Sequence, residues 1–177
     1  SEGEEQLAHR RTLQPAFHRQ RMEEYLPLMN EITFAHISKW TDGTRVDMSD
    51  EMMRLTLNIA LWSFFGSAPE GAADRVSKSM QTLIKLFPLA QMPLPESAQA
   101  LFPSFSEARA SLGAVTEALL QNPQSEHAKR ALVNILKENN SAQFTDEQIH
   151  AHVLTFLLAG HETTALLLAW CWDMLAH

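Results

Sequence analysis

The longest helical pattern in the chain breaks the rules of helix composition at its centre. Thr145-Asp146-Glu147-Gln148 is a capping box, in which the threonine hydroxyl and the glutamine side chain each satisfy an orphan backbone N–H of the first turn. It opens the last helix, whose apolar pattern runs to the C-terminus. Midway stands Ala159-Gly160-His161-Glu162-Thr163-Thr164. Glycine inside a helix costs about 1 kcal/mol relative to alanine, and adjacent threonines are restricted there by their branched side chains. Local rule-breaking of this kind points to function. Helical spacing puts Phe156, Ala159, Gly160, Thr163 and Leu167 roughly on one face, small in the middle, against which a flat group can pack. A threonine hydroxyl there bonds back to the carbonyl one turn earlier and locally opens the helix, making a niche for a diatomic ligand or a water. Glu162 is adjacent and ionisable within an apolar segment, which suits proton relay.

The rest of the chain is also helical in pattern, and the predicted fold class is mainly α in one incomplete domain, residues 1–177. Helices are expected over 4–20, interrupted near Pro15, and over 22–40, where Tyr25, Leu28, Met29, Ile32 and His36 recur at helical spacing. Asp42-Gly43 is a turn, and 45–48 is expected to be a short extended piece. Ser49-Asp50-Glu51 reads as an N-cap with acids in the first turn, followed by the stripe Met52, Leu55, Ile59, Trp62 and Phe65 and a stop at Gly66. Further helices are expected over 72–87, 104–121 and 125–138, with a polar connection over 139–144. Pro88, Pro93, Pro95 and Pro103 are too many for a continuous helix, so 88–103 is the expected mobile loop.

Composition excludes several function classes. Of 177 residues 20% are charged and the net charge is -7, which argues against nucleic acid as the main partner. One cysteine, Cys171, rules out a disulfide framework and an all-cysteine zinc site. The start, Ser1-Glu2-Gly3-Glu4-Glu5-Gln6, is neither signal peptide nor anchor and carries no initiator methionine, so it reads as a cut edge. The longest wholly apolar run is Ala165–Trp172, and a spanning helix needs about 20 residues. No membrane segment is therefore expected, and a soluble, cytoplasmic protein is.

The pattern at 159–164 resembles the Ala/Gly-Gly-x-Asp/Glu-Thr motif on the long central helix of the cytochrome P-450 family, the haem-thiolate monooxygenases. The resemblance implies that Thr163 hydrogen-bonds the bound oxygen, that Glu162 delivers protons, and that Ala159 and Gly160 lie against the haem face. Near the start, Gly3 to Phe17 is similar to the family's helix that reaches a haem propionate, where an aromatic or histidine is followed four residues on by arginine and then by Pro-Ala-Phe. Arg10 and Pro15-Ala16-Phe17 match; Gln6 stands in the aromatic position and keeps an amide donor without stacking or charge. Positions four apart share a helix face, so both can reach one carboxylate.

The chain then reads as a partial P-450 fold without the cysteine-ligand loop. The implied cofactor is haem b (iron protoporphyrin) with its axial cysteine outside this chain, and O2 is the co-substrate. The implied reaction is insertion of one oxygen atom into a hydrophobic small molecule, fed by a ferredoxin or flavin reductase docking near Arg19 and Arg21. Segment 88–103 becomes the substrate gate, and the fragment alone is expected to be inactive.

Other readings of the same residues fail. His161-Glu162-Thr163-Thr164-Ala165 starts like a zincin motif but has alanine where the second histidine is needed, and no metal site is expected. His150 and His152 are two apart, on different helix faces, and read as polar helix residues. Glu51-x-x-Arg54 has the spacing of another family motif but sits far upstream of its place, as a helix-surface pair. Cys171 lies mid-helix without the glycine-rich loop that frees a ligand sulfur, and reads as an inert buried thiol. The Met and aromatic residues are most simply core. The competing hypothesis is a haem-free helical interaction domain.

Overall fold

A computed structural model describes residues 2–90, 103–121, 131–138 and 144–177. The elements are α1 (Glu2–Leu13), a 3-10 turn (Gln14–Phe17), α2 (Arg19–Ile37), α3 (Met48–Phe65), α4 (Ala72–Ala90), α5 (Pro103–Gln121), α6 (Leu132–Glu138) and α7 (Asp146–Ala176). No strand occurs among the described residues, and the expected extended piece before α3 has no regular structure. The connections at 91–102, 122–130 and 139–143, and with them most of the expected 88–103 loop, lie outside the described residues.

The breaks follow local chemistry. Pro15 sits at the start of the 3-10 turn, where its missing N–H is no loss, and His18 in extended conformation redirects the chain into α2. The cap of α3 is Asp47, not Ser49: the Asp47 carboxylate accepts from the N–H groups of Ser49 (2.9 Å) and Asp50 (3.2 Å). A carboxylate two positions earlier reaches two orphan donors at once, which one hydroxyl cannot. Gly66 ends α3 at φ 72°, a left-handed conformation that favours glycine. The capping box at Thr145 and Gln148 is formed in both directions. α4 continues past Pro88 to Ala90, because a proline so close to a C-terminus removes one hydrogen bond from a helix that is about to end.

The described residues fall into two units. In the first, residues 1–68 and 123–177, α3 packs on α2, α6 and α7. This explains why the expected stripe on α3 was too narrow. Leu57 and Leu61 are fully buried although they lie off it, because three helices surround α3 rather than one. In the second unit, residues 69–122, α4 and α5 pack on one another through Val76, Met80, Leu112 and Val115 among others.

A half-buried carboxylate ties the first unit together. Trp40 Nε1 donates to Glu51 Oε2 (2.9 Å). His36 Nε2 lies 2.8 Å from the same oxygen, an ionic contact off the hydrogen-bond direction when the imidazole is protonated. The Trp40 ring meets Trp172 of α7 edge to face. The indole hydrogen bond, followed by the nearby His36 and Arg54 charges, holds the Glu51 carboxyl below its ordinary value of 4.5, against the opposing effect of burial. A carboxyl lowered on folding contributes stability above its unfolded value and loses it as pH falls through the folded one. Glu51→Gln is therefore expected to lower stability by about 1–3 kcal/mol near neutral pH and to flatten the acid limb of the stability curve. Urea unfolding of the full-length protein from about pH 7 downwards checks both; parallel curves for variant and parent would count against the assignment.

Candidate active site

α7 carries the site because its sequence commits one stripe to the core and leaves another open. Val153, Leu157, His161 and Ala165, spaced four apart, are buried. Ala159, Gly160 and Thr163 are exposed, as is Leu167, and Glu162 is half-buried. A Cβ built on Gly160 would meet no heavy atom within 4 Å. Nothing in this chain's own packing therefore requires glycine there, although a helix interior disfavours it.

The five residues expected on one face divide into two groups. Gly160, with Thr164 and Leu168, lines a cavity of about 290 Å³ facing Met22, Tyr25 and Met29 of α2 and Ile59, Ala60 and Ser63 of α3. Thr163 and Ala159 are not among its lining residues; each step along the helix rotates a side chain by about 100°. The expected back-bonding is present: Thr163 Oγ1 donates to the Ala159 carbonyl and Thr164 Oγ1 to the Gly160 carbonyl, both at 2.8 Å. The expected local opening is absent, since α7 is continuous α-helix from Asp146 to Ala176.

Arg10 stands on α1, exposed, with no hydrogen bond or ion pair among the described residues. It borders a cavity of about 570 Å³ with His9, Leu13 and Phe17 on one side and His152 and Phe156 of α7 on the other. Phe17 and Phe156 meet at 5.1 Å between ring centroids, and Phe17 also lines the cavity that Gly160 borders. The Pro-Ala-Phe turn thus joins the two motifs, distant in sequence, along one apolar seam. Gln6 lies on α1 one turn before Arg10, and its side chain is outside what the structure describes.

Two features escaped the sequence reading. His152 is no bare polar helix residue: its ring packs against His9 (5.3 Å) and Phe144 (5.0 Å). Burial, then the His9 charge, lowers its pKa. Thr56 of α3 reaches the backbone of α7 at His161 (3.0 Å). Neither has a motif, and both depend on which helices meet.

One expectation needs correction, and two gain detail. Cys171 is exposed rather than buried, because the C-terminal part of α7 has no neighbour among the described residues on that side. Arg19 and Arg21, expected near a docking site for the electron donor, each pair with a glutamate on α2, Glu23 and Glu24, at 2.9 Å, which partly neutralises their charge. By length and composition alone, Glu147–Ala176 of α7 is apolar enough to cross a membrane, a property it shares with core helices, and its stripe of Val153, Leu157, His161 and Ala165 is buried in the packing of the first unit.

The cytochrome P450 family profile matches residues 1–177. The chain belongs to the cytochrome P450 family. Among curated P450 relatives, cyclooctatin synthase of Streptomyces melanosporofaciens is 29% identical over 94% of this chain and 39% of its own length. The putative cytochrome P450 135A1 of Mycobacterium tuberculosis is 28% identical over 95% and 39%. Cyclooctat-9-en-7-ol 5-monooxygenase of Streptomyces melanosporofaciens is 26% identical over 99% and 40%. A solved P450, the retinoic acid bound cyanobacterial CYP120A1, superposes with a TM-score of 0.66 at 26% identity, covering 90% of this chain and 37% of that one. The chain thus spans about two fifths of the length of the P450 relatives it matches, and its helical architecture is that of a partial P450 fold.

Proposed function

We propose that these residues form the oxygen-facing part of the active site of a haem monooxygenase within a longer protein. The observation that carries this reading is the stretch of α7 left open by its packing. Ala159 and Thr163 are exposed on its outward side, and Gly160 borders the cavity toward α2 and α3, midway along a helix whose inner stripe is buried. A small, open patch flanked by exposed Leu158, Leu166 and Leu167 is a surface built for something to close on it.

The residues present fit haem. When bound, haem supplies the iron at which O2 is activated for insertion of one oxygen atom into a C–H bond. Ala159 and Gly160 let a flat ring approach the helix. Arg10 offers a guanidinium, without a hydrogen bond or ion pair among the described residues, that can hold a propionate through two parallel hydrogen bonds, and Gln6 adds an amide donor one turn away. Thr163 Oγ1 spends its hydrogen on the Ala159 carbonyl and retains lone pairs with which to accept a hydrogen from water. Rotation of the hydroxyl passes its own hydrogen outward. Glu162, half-buried and adjacent, collects protons from solvent and feeds that chain. Cys171 lies within a regular helix, so a thiolate to hold the iron would come from sequence outside these residues.

A hydrophobic substrate suits relatives named for acting on cyclooctat-9-en-7-ol and for binding retinoic acid. We assign the 88–103 segment the role of its gate, and a ferredoxin or flavin reductase the supply of electrons. The site is tested by Arg10→Ala in the full-length protein. Loss of a charge-assisted pair is expected to weaken haem binding about 10- to 100-fold, read as the haem-to-protein ratio after gel filtration. Arg10→Lys keeps the charge without the fork and should fall between. Full haem occupancy in Arg10→Ala would remove Arg10 from the site.

A further inference from the structure

The turn that carries Glu162 and Thr163 is held from outside its own helix. Thr56 on α3 is buried, and its Oγ1 lies 3.0 Å from the His161 carbonyl oxygen, a contact that joins residues 105 apart in sequence. The same hydroxyl lies 2.9 Å from the Met52 carbonyl and 3.3 Å from the Met53 carbonyl, one turn earlier in α3. Two oxygens that close repel unless a hydrogen lies between them, so the one hydroxyl hydrogen is shared between the carbonyls of two helices.

The acceptor gives this contact its consequence. The His161 carbonyl and the Glu162 nitrogen belong to one rigid peptide plane. Holding that plane sets the direction in which Glu162 leaves the backbone, with Thr163 one residue further on. The neighbouring carbonyls are loaded as well. His161 Nδ1 lies 2.6 Å from the Leu157 carbonyl, and a carbonyl only accepts, so that nitrogen carries the hydrogen. Thr163 and Thr164 donate to the Ala159 and Gly160 carbonyls. Side-chain donors of this kind compete with the backbone ladder and favour bending. The donors to the Leu157, Ala159 and Gly160 carbonyls, on His161, Thr163 and Thr164, belong to α7 and move with it. Thr56 stands on a different helix and ties the loaded turn to the protein frame.

We propose that Thr56 is a positioning residue for the proton relay: its hydroxyl holds the His161–Glu162 peptide against α3 and thereby sets the orientation of Glu162 and Thr163. This rests on the haem monooxygenase reading above.

The test uses the full-length, haem-loaded protein. Thr56→Val keeps the shape and removes the hydroxyl, and Thr56→Ser keeps the hydroxyl. Two quantities are measured: amide hydrogen exchange of the 157–165 segment, and the infrared stretch of carbon monoxide on the reduced haem. Thr56→Val is expected to speed exchange in that segment about fivefold, the equivalent of one net hydrogen bond, and to shift or split the carbon monoxide band. Thr56→Ser restores both. Should Thr56→Val fail to fold, Thr56→Cys, a weaker donor, is expected to give intermediate values, and parental exchange in it overturns the proposal. Parental exchange in Thr56→Val overturns it as well. Faster exchange with an unmoved carbon monoxide band makes Thr56 merely structural and also overturns it. If the parent protein forms no carbon monoxide complex at all, the haem reading itself fails, and the positioning role falls with it.

Discussion

Thr163→Ala in the full-length protein, on the proposed haem monooxygenase reading, is expected to keep its fold and haem binding and to lose most of its coupling. Reducing equivalents from a surrogate ferredoxin and its reductase should still be consumed, but product per electron pair should fall about 10- to 100-fold, with peroxide released instead. That range reaches only the lower end of what positioned proton transfer contributes, since water replaces part of the hydroxyl's role. The structure explains why the fold survives. The Thr163 side chain is exposed, its one described hydrogen bond is to the Ala159 carbonyl, and that carbonyl keeps its place in the helix. Alanine is the better helix former, so thermal stability should hold or rise slightly. Thr164→Ala is the internal control. It removes the same bond one residue on, but on the side that faces α2 and α3, and should leave coupling near the parental value. Equal coupling in Thr163→Ala and the parent would remove Thr163 from the mechanism.

The 177 residues expressed alone and supplied with haem are expected to show no thiolate-type band in the reduced carbon monoxide spectrum, whereas the full-length protein shows it fully. The expectation turns on Cys171, the single cysteine in the sequence. It is exposed and so accessible to a metal. Yet it sits in unbroken helix, where the nearby backbone N–H groups are spent on helix carbonyls and cannot donate to a thiolate sulfur. Ligated thiolates depend on such donors. Cys171→Ser in the full-length protein should leave the band intact. A stable thiolate band from the isolated chain, lost in its Cys171→Ser variant, would overturn this and make Cys171 a ligand.

The helical class, the element order and the anomalous motif on α7 were legible from local chemistry. The Thr145–Gln148 box, the stop at Gly66 and the break at Pro15 are written within a few residues of where they act. So is the anomaly at 159–164, because glycine and paired threonines in an apolar helix are unusual whatever surrounds them. The cap of α3 was misplaced by two residues, since serine and aspartate are both good caps and only the backbone path selects between them.

What a side chain touches across helices was not legible. Periodicity put Ala159, Gly160 and Thr163 on one face, but only the packing of α2 and α3 against α7 gives Gly160 an inward cavity and leaves Thr163 outward. The Phe17–Phe156 contact joins the two motifs, and the Thr56–His161 bond ties the motif to α3. Both span long stretches of chain. The sequence by itself determined which residues are chemically fit for an oxygen site, because hydroxyl, carboxyl and the missing glycine side chain are properties of single residues. The tertiary structure decided how those groups are aimed, because direction depends on the rotation of α7 about its axis, and that rotation is set by burial of Val153, Leu157, His161 and Ala165 rather than by any residue in the motif's outward face.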